Sequence, residues 1–341
     1  MVTSKQYRYN IMANDVDISE NDLLRSHPEV LQKLLLDHTT QKNIFWATDS
    51  YAHLGEGFGF DDEITVEHIT GHNGCIIQPR AVKAAEVQTQ RAKDMAEVFT
   101  PSWICNAQNN LVDNEWFGRT GVFNTEHADS HSWTPTEGAI EFPEGKTWRD
   151  YVLDNRLEVT CGEAPYLVSR YDTVSGLPVN PLNRRIGILD RKLRVVSENT
   201  ASSGEWLKAA KEALQSTYGF EWQGDNLLLA REAVFYTFCD YYEAKFHKPV
   251  PEKSLIGIAY IISWNLWQMD GLRLVIPGSC DKVFDRGLFG EETKLECPAC
   301  KKGVMDGHIG IRCRIRDWRY SGKDEAKEKP YFSTFVLGNK N

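Results

Sequence analysis

Two groups of side chains in this sequence have the types and spacing for chemistry. The first is a set of thiols. Cys297-Pro-Ala-Cys300 has the knuckle spacing of a metal site, Cys313 lies downstream and Cys280 upstream. Four soft thiolates favour tetrahedral structural zinc, and His308 is a rival to Cys280 for the fourth position. Lys301, Lys302, Arg312, Arg314, Arg316 and Arg319 crowd around these cysteines. A metal-pinned hairpin presenting arginines would suit phosphate contacts; the other reading is an ordinary solvated basic face.

The second group is spread along the middle of the chain. Glu158-Val-Thr-Cys-Gly-Glu-Ala-Pro-Tyr-Leu167 reads as a strand end, a sharp turn at Gly162 and a helix starting near Ala164. Such a turn brings backbone amides and a helix N-terminus up to a ligand. Two further apolar runs end at acids, Glu221 and Asp270. In an open α/β sheet the carboxyl ends of neighbouring strands line one crevice. An acid there can accept from both hydroxyls of a ribose, and another from an exocyclic amine. The set therefore suits an adenosine-containing cofactor.

The elements that must position these groups follow from the pattern. A helix is expected from Pro28 with Ser26 as its cap, and strands over Asn43–Thr48 and Ile64–Ile69. Between those strands, Leu54-Gly-Glu-Gly-Phe-Gly59 reads as a surface loop. Thr100 caps a helix that has Pro101 in its first position and apolar residues at Ile104, Ala107 and Leu111. Residues 120–150 read as loops, so His127 and His131 are taken as solvated rather than metal-bound. Residues 185–196 and 205–214 have helical periodicity. The Glu221 strand is followed by a long helix with Leu227, Ala230, Val234 and Phe238 on one face.

Composition limits the alternatives. The chain has 341 residues, 41% hydrophobic and 26% charged, which is ordinary for a globular protein with roughly two domains. No stretch approaches the ~18 uninterrupted apolar residues of a membrane span, and the start lacks the apolar core of a signal peptide, so a cytoplasmic setting is expected. In such a setting Cys105, Cys161 and Cys239 read as small buried hydrophobes rather than disulfide partners. The net charge of −9 argues against a surface covered in phosphate-binding residues but leaves room for a local basic face. No Gly-x-Gly-x-x-Gly links a strand to a helix, which disfavours a nicotinamide-dependent oxidoreductase.

Over residues 87–272 the chain resembles the adenine-N6 DNA methyltransferases of restriction–modification systems, in the arrangement of type I modification subunits and fused type II enzymes. That family starts with a Phe-Thr-Pro helix, matched by Phe99-Thr100-Pro101, and has a cofactor loop Asp-Pro-x-Cys-Gly-x-Gly-x-Phe-Leu, matched by Glu158–Leu167. Gly219-Phe-Glu221 with Leu229-Ala-Arg231 matches its next element, and Asp270-Gly-Leu272 the acid after its third strand. The resemblance implies an α/β, class I S-adenosylmethionine-dependent fold with a Rossmann-like sheet. Phe99, Thr100 and Pro101 would pack the methionine side of S-adenosylmethionine. Glu158, Cys161 and Gly162 would form the loop, Glu221 would hold the ribose and Asp270 the adenine amine. The target adenine of double-stranded DNA would be flipped into the pocket.

The sequence departs from that family at four places. Glu158 stands for the loop's Asp, Ala164 stands where the family has its second Gly, Glu163 adds a negative charge beside the cofactor's carboxylate, and the catalytic Asn-Pro-Pro-Tyr or Asp-Pro-Pro-Tyr is absent. The nearest remnant is Val336-Leu-Gly-Asn339, with Asn339 in the catalytic place. Two readings follow: a methyltransferase, or the cofactor-binding half of one whose companion chain carries the catalytic motif, target recognition or endonuclease; or a non-catalytic DNA- or partner-binding subunit. The expected organisation is an N-terminal accessory region (1–90), the methyltransferase-like core (91–275), a small zinc-binding insertion resembling a zinc ribbon (276–320) and a C-terminal strand or tail (321–341).

Overall fold

The structure is a computed structural model, which describes residues 19–94, 97, 100–286, 291–316 and 318. Phe99, Arg319 and Asn339 lie outside the described residues. The chain opens with helices α1 (Glu20–Ser26) and α2 (Pro28–Leu35) and a short ladder of β1 (Leu36–Asp37) with β2 (Lys42–Asn43). Helix α2 starts at Pro28 as the sequence indicates. Its N-cap is His27, while Ser26 Oγ donates to the Asp22 carbonyl.

Two of the expected strands take other forms. Residues 44–47 pair with 60–64 through single contacts without building a long strand, and Ala47 turns left-handed (φ 52°). Ile64–Ile69 turns into a helix, α3 (Val66–Ile69), because Thr65 accepts from the His68 amide and caps it. Next come α4 (Ala85–Asp94), α5 (Ser102–Phe117), a hairpin of β3 (Asn124–His127) and β4 (Ser132–Pro135), and α6 (Trp148–Leu153). The N-cap of α5 is Pro101, one residue beyond the expected Thr100, and the Asp172 carboxylate accepts from the Ser102 amide.

Helix α5 is turned round relative to its expected packing. Leu111 is 69% exposed and Trp103 and Val112 also face outward, whereas Cys105, Asn106, Asn109, Asn110 and Asp113 are buried. The reason is a buried polar network. Arg191 donates to Asp113 (2.6 Å), Asn106 (2.9 Å) and Asn110 (2.7 Å), and Asn106 pairs with Asn124. The polar face goes inward because a buried guanidinium needs partners.

The central sheet is parallel: β5 (Arg156–Val159), β6 (Thr217–Glu221) and β7 (Leu266–Gln268), side by side in chain order. The first crossover carries α7 (Ile188–Asn199) and α8 (Ser203–Gln215), the second α9 (Gly224–Phe246) and α10 (Glu252–Asn265). The apolar run that reads as a third strand is therefore mostly helix, and of it only Leu266–Gln268, two residues short of Asp270, join the sheet. No helix forms at Ala164; residues 162–167 are turns, and the next α-helix begins at Ile188. A small element closes the described chain, with β8 (Phe284–Arg286) paired to β9 (Glu292–Lys294) and then α11 (Pro298–Lys302).

One hydrophobic core joins the N-terminal helices to the helices that flank the sheet, and Tyr218, Phe220 and Trp267 of the sheet pack in a second cluster with Ile315. Leu23, Leu31, Trp46 and Ile64 pack in the same cluster as Leu193, Trp206, Phe235 and Ile258. Residues 20–77 thus share the core of the helices that flank the sheet. Gly224 marks the closest approach: a Cβ there would stand 2.1 Å from the Phe45 carbonyl oxygen. Arg231, fully buried on α9, ties both parts together by donating to the carbonyls of Leu34, Leu36, Ser263 and Leu266.

Candidate ligand cavity and metal centre

The carboxyl ends of β5 and β6 open into a cavity of about 790 Å³. Thr100, Glu158, Cys161, Gly162 and Glu221 all line it, so five of the residues singled out by sequence meet at one place. Pro101 is not in the lining. Asp270 lines a neighbouring cavity of about 340 Å³ with Arg273, Cys280 and Lys282; Phe60 and Trp222 belong to both linings. Asp270 Oδ1 accepts from the Leu272 and Arg273 amides, which fixes the turn leaving β7.

The loop after β5 is built from left-handed residues: Thr160 (φ 55°), Gly162 (φ 53°) and Ala164 (φ 61°). It bends the chain across the sheet end, and the Gly162 amide donates to Glu221 Oε2 at 2.8 Å. Glu221 Oε1 accepts from the Gln223 amide at 3.1 Å. Each carboxylate oxygen has a second lone pair, so Glu221 keeps capacity for two ligand hydroxyls. Burial pushes its carboxyl up to about 7, against the pull of those two amides. Burial also pushes Glu158 well above the usual carboxylate range; the amides of Tyr166 and Leu167 oppose this, and the Glu221 charge adds to it. Glu158 Oε2 has no hydrogen-bond partner among the described residues.

Glu163 turns away from the cavity. It is buried, accepting from the Arg80 amide (2.6 Å) and the Tyr171 hydroxyl (2.5 Å). Its charge is thereby kept off the ligand side.

Several lining residues carry no sequence signal for a site. Ala47, Asp49 and Phe60 come from the N-terminal region, brought over the sheet end where Gln268 Nε2 donates to the Phe45 carbonyl at 2.6 Å. Lys93 and Glu97 reach in from α4 and the segment after it. The Gly-rich stretch before Phe60 read only as a loop, and nothing local marked it as a wall.

The metal centre differs from the expected set in one ligand. Cys280, Cys297, Cys300 and His308 place their donor atoms within 4.8 Å of one another, a Cys3His group that can bind a metal such as zinc. From His308 Nδ1 the three sulfurs lie at 3.6, 3.6 and 3.3 Å. A tetrahedron with bonds of 2.0–2.3 Å has edges of about 3.5 Å, so the ligand spacing fits. His308 Nε2 donates to the Val304 carbonyl at 2.9 Å, which leaves Nδ1 its lone pair facing the thiols. Burial disfavours the thiolates, but at Cys297 the amides of Cys300 and Ile309 prevail and the thiol is pushed down to about 6.

Cys313, one of the four expected thiolates, is elsewhere. It packs with Tyr218, Trp267, Met269 and Ile315 against the sheet, its sulfur 3.8 Å from the Gln268 carbonyl, and burial pushes its thiol well up. The sequence contained the signal in His308, eight residues after Cys300, but set it against Cys280, whereas both belong to the group and the thiolate left out is Cys313.

The basic residues near the Cys3His group divide. Arg314 is exposed and Arg312 partly so, with Val275 bridging Arg312. Arg316 stacks over Trp318 (4.7 Å) and Tyr260 (5.3 Å) and donates to the Tyr260 hydroxyl, which engages its guanidinium in pinning the element to α10. His127 Nε2 pairs with Thr134 Oγ1 and His131 stacks on Trp103; neither belongs to the Cys3His group. No helix among the described residues is long and apolar enough to cross a membrane. Compared with protein-family models, characterised proteins and solved structures, the chain matches none.

Proposed function

We propose that this chain is the S-adenosylmethionine-binding unit of an adenine-N6 DNA methyltransferase of a restriction–modification or phage-defence system. We propose also that the ion of its Cys3His centre is zinc. The observation that carries the first reading is the convergence at the sheet end. Consecutive parallel strands β5 and β6 deliver a left-handed Gly loop and two carboxylates to one cavity, in the order the family uses.

The lining fits the cofactor chemically. Glu158 Oε2 lacks a partner, and Glu221 retains acceptor capacity for a diol. When bound, the cofactor supplies an electrophilic methyl group on a sulfonium. Glu221 would hold the ribose, Thr100 and the Cys161–Gly162 loop the methionine side, and Asp270 with its neighbouring cavity the adenine amine. The Pro-Pro-Tyr signature is missing from these 341 residues, and groups outside them would have to accept from the adenine amine and stack on the flipped base, as a companion chain could. Arg312 and Arg314 are the residues for DNA phosphate; replacing both with Glu should weaken duplex binding and lower its salt dependence.

The missing signature favours a second reading, a subunit that binds cofactor and DNA without methylating. Calorimetric titration with S-adenosylmethionine decides the shared premise. The wild type should bind, and Glu221→Ala should bind about ten- to a hundredfold more weakly, as expected for losing charge-assisted hydrogen bonds. Absence of wild-type binding would remove the proposal. A methyl-transfer assay on duplex DNA, with and without a companion chain, then separates the two readings.

A further inference from the structure

The smaller cavity shares a wall with the metal centre. Its lining from Asp270 to Lys282 comes from the single segment that leaves β7, and Cys280 of that segment is also a member of the Cys3His group. Phe60 and Trp222 join this cavity to the larger one. The two halves of the segment are held differently. Ile276 packs with Trp267 and Met269, which anchors the first half to the sheet. The second half is a single 3-10 turn, Ser279–Lys282, hung on the metal element. The Ile276 amide donates to the Ile311 carbonyl (2.8 Å), and the Ile311 amide donates to Ser279 Oγ (3.0 Å). Gly310 closes against the same turn, where a Cβ would stand 2.5 Å from Ser279 Oγ. Cys280 and His308 thus tie together the two stretches that make this contact.

Little else holds the turn. Val275 and Ala299 pack with Cys280 and Cys297, and Cys300 and Ile309 lie against them. Three of these are ligands of the Cys3His group, so burial supplies little and a bound ion supplies most of the order. Lys282 pairs with Asp61, but both side chains are about half exposed and the pair is worth little. Among the described residues, those from 270 to 313 contribute nothing to the main core and nothing to the lining of the larger cavity. The metal element can therefore loosen while the rest of the chain stays folded.

We propose that the metal and the ligand bind cooperatively. With the Cys3His group loaded, residues 278–282 stand as the wall of the smaller cavity. A ligand seated across both cavities holds that wall in place in return. The proposal rests on the cofactor reading above for the identity of the ligand. It makes cofactor affinity respond to metal supply.

The test compares the full chain carrying zinc with the same protein after chelation, and with Cys297→Ser, whose side chain lines neither cavity. Titration calorimetry should give about tenfold weaker S-adenosylmethionine binding in both metal-free forms. Saturating S-adenosylmethionine should tighten zinc binding by the same factor, read by chelator competition, because such coupling is reciprocal. Hydrogen exchange should show the amides of Ser279, Asp281 and Ile311 losing protection without the ion, while those of β5 and β6 keep theirs. Equal cofactor affinity with and without zinc overturns the coupling and leaves the cofactor reading standing. Loss of protection throughout β5 and β6 also overturns it, since the ion would then hold up the whole fold. Failure of the zinc-loaded chain to bind S-adenosylmethionine removes the cofactor reading and the coupling with it.

Discussion

At the scale of single residues, the loop after β5 carries a strain that a one-atom change relieves. Ala164 is fully buried at φ 61°, a conformation that costs an L-residue about 1–2 kcal/mol and a glycine almost nothing. Part of that gain is offset because glycine loses more freedom on folding. Ala164→Gly should therefore raise stability by about 0.5–1 kcal/mol, measured by urea denaturation. A loss of stability would show that the methyl group's packing outweighs the strain. Glu221 has the opposite character, a group held in place at a cost. Its carboxyl titrates near 7 in the folded chain against an ordinary 4.5, so the folded state binds the proton more tightly. Its contribution to stability is complete below about 4.5 and is lost as pH rises through about 7, by at most about 3 kcal/mol. Glu221→Gln should flatten the fall in denaturant stability between those limits. Glu158, Glu163 and Asp190 shift in the same direction, so the difference between wild type and variant is the quantity to read, not the wild-type curve alone.

At the scale of elements, legibility followed the source of each element's stability. Helix α8 and strand β6 were readable because their apolar pattern and caps agree with their packing; Ser202 and Glu205 even form a reciprocal cap. Helix α5 was readable as a helix but not in its orientation. Its inward face is fixed by Arg191, 78 residues away from Asp113, and no local pattern encodes that. Residues 64–69 alternate like a strand, yet one hydroxyl cap at Thr65 turns them into a helix. The metal element shows the same limit. Sequence ranked thiolates by softness, while the chain bends so that His308 closes the site and Cys313 fills a hydrophobic gap under β7. Substitution should separate the two roles cleanly. Purified His308→Ala and Cys297→Ser should lose the bound ion, measured by elemental analysis against about one equivalent in the wild type. Cys313→Ser should keep its equivalent and lose only some stability, and loss of the ion there would restore the thiolate set read from spacing.

At the scale of the whole molecule, residues 19–80 are inseparable from the fold that carries the cavity. The sequence marked them as accessory because the family resemblance begins at residue 87, and a resemblance reports only where motifs lie. Packing reports something else. Leu31, Leu34, Leu35, Ile44, Trp46 and Ile64 are fully buried in the same cluster as the helices of the sheet. At about 1.5–3 kcal/mol for each side chain, their burial amounts to roughly 9–18 kcal/mol. That equals or exceeds the stability of about 5–15 kcal/mol that a whole domain normally has. Removing them would also strip two carbonyl acceptors from the buried Arg231 guanidinium and take Ala47, Asp49 and Phe60 from the cavity wall. A chain starting at residue 81 should therefore fail to unfold cooperatively and should lack near-ultraviolet circular dichroism, although it keeps every motif that resembles the family. Arg231→Met in the full chain tests the same coupling without deletion. With four carbonyls left unpartnered, it should cost about 3–5 kcal/mol and still unfold in one transition. Two separate transitions in the wild type, the first confined to the N-terminal residues, would contradict a shared core and return those residues to the accessory role.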